Sequence, residues 1–246
     1  MRYFLELAYH GGIYHGWQVQ PNAITIQQVL NEALSTILRS EIETIGSGRT
    51  DTGVHATKQI AHFDHDQQLP ENLIGKLNSL LPKGIAIYSC KPVKEDASAR
   101  FEASSRSYIY KMNKQKDPFS DGLSYFYRIS LDLKAMNDCC TVIKKWTDFE
   151  SFSKVHTDVH TFNCKIIDAR WEEDNEGYRF YVSANRFLRG MVRALVGTMI
   201  LAGERKISVD DFQKILEAKD RKKAGRSVPA HGLYLSAVEY PEEIYL

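Results

Sequence analysis

A glycine-rich stretch, Gly46-Ser47-Gly48-Arg49-Thr50-Asp51-Thr52-Gly53-Val54-His55-Ala56, places a guanidinium and a carboxylate two residues apart in a segment suited to turning. Its glycines permit sharp backbone bends, and such bends expose polar side chains at the end of a sheet. Arg49 beside Asp51 favours the charged carboxylate and offers a grip on an anionic substrate. An Arg-Asp loop that only turns the chain has the same local signature. Two other chemistries fail on residue type. A phosphate loop needs the Lys and Ser/Thr of GxxxxGK[ST], which are absent. Asp51-Thr52-Gly53 has the form of an aspartic-protease triplet, but no second DTG or DSG supplies the partner carboxylate that such a site shares. His62 and His65 flank Asp64 without a third ligand at metal-site spacing. Cys90, Cys139, Cys140 and Cys164 lack the CxxC pairing of zinc sites. No metal is expected, and reduced thiols fit the cytoplasm.

The elements around this loop follow from periodicity. Tyr3 to Tyr9 alternates as a strand, and a Gly11–Gly16 turn leads past Trp17. Thr25 with Gln28 predicts a capping box for a helix carrying Ile26, Val29, Leu30, Ala33, Leu34, Ile37 and Leu38. Short strands are expected at Ile42–Ile45, Gln59–Phe63 and Ile85–Cys90, with a helix at Asn72–Leu81. Lys91 to Ser105 is polar and aperiodic, which puts a domain boundary near 104, giving domains 1–104 and 105–246. A strand from about Ser105 carries Tyr108, Tyr110 and Met112. Asp132 caps a helix burying Met136, Cys139, Cys140 and Ile143. Strands at Asn163–Trp171 and Tyr178–Ala184 follow. Phe187 to Ala202 reads as a helix with a Phe187-Met191-Leu195-Met199 stripe; Arg186, Arg189 and Arg193 then fall within about 60° of each other on the opposite side. Ser208 and Asp211 cap a short helix, and Leu233–Val238 is the last strand. The strands mix polar and aromatic faces rather than running apolar throughout, so an α+β fold with largely antiparallel mixed sheets is expected.

The 246 residues carry a formal charge of +1, with 43% hydrophobic and 26% charged residues, which bounds a soluble globular chain. Charge is uneven: Arg186 to Arg226 holds 11 Lys or Arg against 5 Asp or Glu. Such a local excess attracts a phosphate backbone, although a solvated helix face has the same composition. MRYFLELAY has no signal-peptide pattern, and no run is long enough to span a bilayer.

The ordered motifs resemble the TruA family of tRNA pseudouridine synthases. Arg49-Thr50-Asp51-Thr52-Gly53-Val54-His55-Ala56 is similar to the family signature. The likeness also takes in Tyr9, Gly16-Trp17-Gln18, Ala99-Arg100-Phe101, Arg106-Ser107-Tyr108-Ile109-Tyr110 and Asp148-Phe149-Glu150-Ser151-Phe152. It continues through Phe187-Leu188, Met191-Val192-Arg193, Val196-Gly197, Ala224-Gly225, Pro229-Ala230 and Gly232-Leu233-Tyr234-Leu235. The resemblance implies two α+β domains joined across a central catalytic cleft, a homodimer, and no metal or organic cofactor. It implies Asp51 as the catalytic aspartate, Arg49 as the arginine entering the flipped nucleotide's space, and Tyr108 packing over the target base. The implied substrate is the tRNA anticodon stem-loop, with uridines 38, 39 and 40 converted to pseudouridine. Arg186, Arg189 and Arg193 are then the expected RNA platform. Lys222 and Arg226, with Lys219, Arg221 and Lys223, form a further basic edge. A binding module without catalysis is the competing class, and the intact Arg49–Asp51 pair argues against it. A flavin-dependent uridine reductase would need a cofactor architecture that the sequence does not display.

Overall fold

The computed structural model describes residues 1–154 and 160–246. Its strands, in chain order, are β1 Arg2–Tyr9, β2 Ile45–Gly46, β3 His55–Asp64, β4 Ile85–Val93, β5 Ser105–Asn113, β6 Tyr125–Phe126, β7 Ile166–Glu173, β8 Gly177–Ala184 and β9 Leu233–Glu239. Its α-helices are α1 Ile26–Leu38, α2 Leu73–Leu80, α3 Leu133–Lys144, α4 Met191–Gly203 and α5 Val209–Glu217. The fold is α+β with mostly antiparallel strands, as the mixed strand faces predict. Two compact units emerge: Met1–Ser105 with Tyr234–Leu246, and Arg106–Leu233. The segment from Tyr234 onward therefore groups with the first unit, whereas the sequence assigned all of 105–246 to the second. Strand pairing is the reason. β9 runs parallel to β3, with His55 opposite Tyr234 and Ala56 opposite Leu235.

In the first unit β1 lies between β3 and β4, antiparallel to both. Tyr3, Leu5, Leu7 and Tyr9 are buried as the alternation predicts, and Phe4 on the other face is buried too. Phe4 meets Tyr240 and Tyr245 edge-on, so both faces of this strand are covered. Thr25 caps α1 by accepting from the Gln28 N–H at 3.3 Å, but the Gln28 amide turns to Glu32. Only half of the expected capping box forms. Asn78 of α2 clamps the helix to β4, its amide both donating to and accepting from the Ile87 backbone at 2.8 Å.

His62 and Asp64, weighed above as metal ligands, do structural work. Asp64 takes two hydrogen bonds from Arg2, at 2.8 and 2.7 Å. Buried His62 accepts the Ala99 N–H on Nδ1 at 3.1 Å. Burial, aided by the Arg2 charge and opposed by Asp64, pushes the His62 pKa down from 6.5 to about 4. The unfolded chain therefore takes up a proton between about pH 6.5 and 4 that the folded chain refuses. Stability is expected to fall as pH drops through that window and to level off below it. Thermal melts against pH should show a flatter decline in His62→Gln, whose amide oxygen keeps the acceptor; equal slopes would remove His62 as the cause.

In the second unit β8 lies between β5 and β7, antiparallel to both, and β6 adds a short parallel pairing to β5. Asp132 caps α3 by accepting from the Ala135 N–H at 3.1 Å, and Met136, Cys139, Cys140 and Ile143 are buried. Asn137 repeats the device of Asn78, holding the backbone of Trp171 through both ends of its amide. The full capping box of Ser208 and Asp211 starts α5. All four cysteines are free thiols. Burial pushes Cys90 up to about 12 and Cys164 up to about 11, so neither is a ready nucleophile. Among the described residues no helix is long and apolar enough to cross a membrane.

Candidate active site

The Arg49–Asp51 segment leaves β2 and re-enters β3 through a loop pinned at alternate residues. Ser47 donates its N–H to the Ile60 carbonyl at 2.7 Å, and its hydroxyl donates to the Gln59 side chain. Gln59 in turn donates to the Gly48 carbonyl at 3.1 Å. The next anchor is Thr50. Its side chain is buried, its hydroxyl lies 2.8 Å from the Tyr9 hydroxyl, and its carbonyl accepts from the Trp17 N–H at 3.1 Å. Thr50 is buried while its neighbours are less so: Arg49 is exposed and Asp51 half-buried. The Asp51 carbonyl then accepts from the Val54 N–H at 3.1 Å, closing a turn with Gly53 at φ +79°.

Below this turn the first residue of β3, buried His55, accepts the Gly11 N–H on Nδ1 at 3.1 Å. Its ring stacks on Tyr234 at 4.7 Å and meets His10 edge-on at 4.6 Å. His55 thus shapes the loop through Gly11, His10 and Tyr234. Gly16, at φ +84°, lets the Trp17 turn approach the loop; a Cβ there would lie 2.5 Å from the Thr50 carbonyl oxygen. The roles of Tyr9 and Gln59 were not read from sequence. Each acts on a residue far along the chain or in a polar pair with no local signal.

In the second unit Tyr108 and Tyr110 share one face of β5 but not one environment. Tyr110 is sealed, its hydroxyl donating to the Pro229 carbonyl at 2.9 Å, and burial raises its pKa. Tyr108 is half-buried and meets Phe187 edge-on, ring centroids 5.1 Å apart at 89°. Of the two, Tyr108 offers ring surface to a ligand. Arg106 donates to the Asn185 carbonyl at 3.0 Å, bracing the turn that carries Phe187.

The arginines are arranged differently from the expectation. Helix α4 begins at Met191, not Phe187, because Gly190 adopts a left-handed φ of +73°; ahead of it the Asn185 side chain accepts from the Lys165 and Arg186 N–H groups. Arg186 and Arg189 therefore lie ahead of the helix, and the shared helical face does not exist. Nearly all of α4 is buried, so its periodicity reflects a core helix. Arg193 is half-buried and donates to the Val228 carbonyl at 2.8 Å, whereas Arg189 is exposed. Lys222 and Arg226 are exposed as well, on a segment held against α4. Gly225 donates to the Thr198 hydroxyl at 2.9 Å, and a Cβ on Gly197 would lie 1.8 Å from the Arg226 carbonyl oxygen. Arg221 folds back onto the Ala224 and Gly225 carbonyls and the Ser227 hydroxyl. The basic edge is thus an ordered turn.

The sequence model of the tRNA pseudouridine synthase family matches residues 8–102 and 147–241, which include the Asp51 loop and the Arg186–Arg226 segment. The chain belongs to this family, the TruA tRNA pseudouridine synthases, whose members are isomerases. It is 48% identical to tRNA pseudouridine synthase A of Parabacteroides distasonis over 99% of this chain and 98% of that protein. The corresponding protein of Porphyromonas gingivalis is also 48% identical, over 100% of this chain and 99% of its own length. That of Bacillus subtilis is 37% identical, over 98% and 99%.

Proposed function

We propose that this tRNA pseudouridine synthase converts uridines 38, 39 and 40 of the anticodon stem-loop, with Asp51 as its catalytic carboxylate. The observation that carries the reading is the pinned loop: Thr50 is buried on Tyr9 while Arg49 is exposed and Asp51 half-buried, within a family-wide likeness. The reaction breaks the bond from uracil N1 to ribose C1′ and forms one from C5 to C1′. A proton leaves C5 and one is gained at N1, so no redox partner or group donor is consumed. A carboxylate serves this exchange as a nucleophile at C1′, as a base toward the C2′ proton or as a nucleophile at uracil C6, and Asp51 is the carboxylate in each route. Arg49 holds the phosphate of the flipped nucleotide. Tyr108, backed by Phe187, stacks on the uracil while it is detached. Flipping costs a few kcal/mol of lost stacking and pairing, offset by phosphate contacts from Arg186, Arg189, Lys222 and Arg226. The enzyme works in the cytoplasm as a homodimer. Sedimentation should then give a species near twice 28.1 kDa, and a fully active monomer would refute the dimer.

Incubating the protein with an unmodified anticodon stem-loop and assaying for pseudouridine tests the activity; no product at saturating enzyme would overturn it. The arginines separate in a second experiment. Arg189→Gln should lower the slope of log affinity against log salt by roughly one unit, as one phosphate contact is lost. Arg193→Gln should act mainly on stability, since its guanidinium ties Val228 to α4. A charged-group hydrogen bond of that kind is worth about 1.5–3 kcal/mol. The reverse pattern, a changed slope only in Arg193→Gln, would exchange the two roles.

A further inference from the structure

The turn Ser98–Glu102 in the first unit is tied down from several sides. The Ser98 hydroxyl accepts from the Arg100 and Phe101 N–H groups, both at 3.3 Å, and the Ser98 carbonyl accepts from Glu102 at 3.1 Å. The Glu102 carboxylate accepts the Ser98 N–H at 3.4 Å, which turns it into the loop. Beneath, Ala99 is fully buried; its N–H goes to His62, and its carbonyl accepts from the Tyr240 hydroxyl at 2.6 Å. On this fixed base Phe101 stands 79% exposed, with the Arg100 guanidinium 5.2 Å from its ring centroid. A rigid turn that presents a large aromatic ring to water leaves a hydrophobic surface uncovered without the compensation of flexibility.

We propose that Phe101 is a stacking platform for an unpaired base of the RNA substrate, with Arg100 contacting the adjoining phosphate. The proposal rests on the tRNA reading of the active site. An aromatic face with a guanidinium against it is the pairing that recurs where proteins hold splayed RNA bases. The size of the surface favours RNA over a protein partner. Phe101 is one ring flanked by Ser98, Arg100, Glu102 and Ser104, which matches a single base; protein interfaces need a contiguous apolar patch. The turn is ordered before binding, so stacking costs little conformational entropy.

The test uses an unmodified tRNA transcript and the full chain. Phe101→Ala and Phe101→Leu should each weaken binding about ten-fold, as loss of one base stack does, while thermal melts stay at the wild-type value because the side chain is exposed. Phe101→Trp should restore affinity, and the added indole fluorescence should be quenched on titration with RNA. Wild-type affinity in Phe101→Ala, restored affinity in Phe101→Leu or an unquenched Phe101→Trp would each overturn the platform. A shift of Phe101→Ala from dimer to monomer in sedimentation would overturn it too, in favour of a contact between copies. Failure of the wild type to bind or convert tRNA would instead overturn the parent reading, so the two failures are distinguishable.

Discussion

Asp51→Asn is expected to yield a folded protein that binds tRNA and loses about a thousand-fold or more in single-turnover pseudouridine formation, the scale seen when a group central to a transition state is removed. The substitution is close to isosteric. The loop that displays residue 51 is held by other groups: the Thr50 hydroxyl on Tyr9, the Thr50 carbonyl on Trp17, and the Asp51 backbone carbonyl on Val54. None of these depends on the carboxylate. Affinity should therefore stay near wild type while conversion disappears. Single-turnover assays with excess enzyme, beside binding titrations of the same preparation, separate the two. Substantial conversion by pure mutant would mean that another group performs the chemistry.

The second large effect is expected from a residue with no side chain. Gly16→Ala places a Cβ 2.5 Å from the Thr50 carbonyl oxygen and 3.2 Å from Asp51 C, both backbone atoms that cannot rotate away. It does so at φ +84°, where a side chain costs roughly 1–2 kcal/mol. Overpacking adds about 1–3 kcal/mol, so the melting temperature should fall by several degrees. The damage to turnover should be larger than the loss of stability suggests. Relief of the clash moves the chain carrying Asp51, and a displacement of about 1 Å costs on the order of a hundred-fold in rate. Rates measured well below the mutant's melting temperature isolate that part. A normal rate would show that the loop tolerates movement and that positioning by the Trp17 turn is unimportant.

Those two effects also show which features the sequence makes legible. The Arg49–Asp51 loop is a local signal, since its glycines, its charged pair and the strands beside it are contiguous. The caps at Thr25, Asp132 and Ser208 are legible because the donor and acceptor lie within three residues. Tyr9 and Thr50 are 41 residues apart, and nothing in either neighbourhood announces the contact. The placement of β9 is equally distant, because chain order puts Tyr234 onward with the second half while pairing to β3 puts it with the first. The start of α4 at Met191 is hidden for a different reason. Phe187 continues the four-residue spacing of Met191, Leu195 and Met199, and hydrophobic period is blind to a left-handed backbone. Gly190 was the available sign, as a residue permissive of that conformation just ahead of the apolar run. Asn78 and Asn137, which clamp helices to strands, look like ordinary polar helix residues in the sequence.

The central claim is tested most directly by mapping pseudouridine, nucleotide by nucleotide, in an unmodified tRNA transcript treated with the wild-type protein. Transcripts in which uridine 38, 39 or 40 is replaced singly by cytidine serve as controls. The expected result is new pseudouridine at those three positions where uridine is present, and none at a replaced position or in the Asp51→Asn reaction. Pseudouridine appearing outside the anticodon stem-loop, with positions 38 to 40 untouched, would contradict the account.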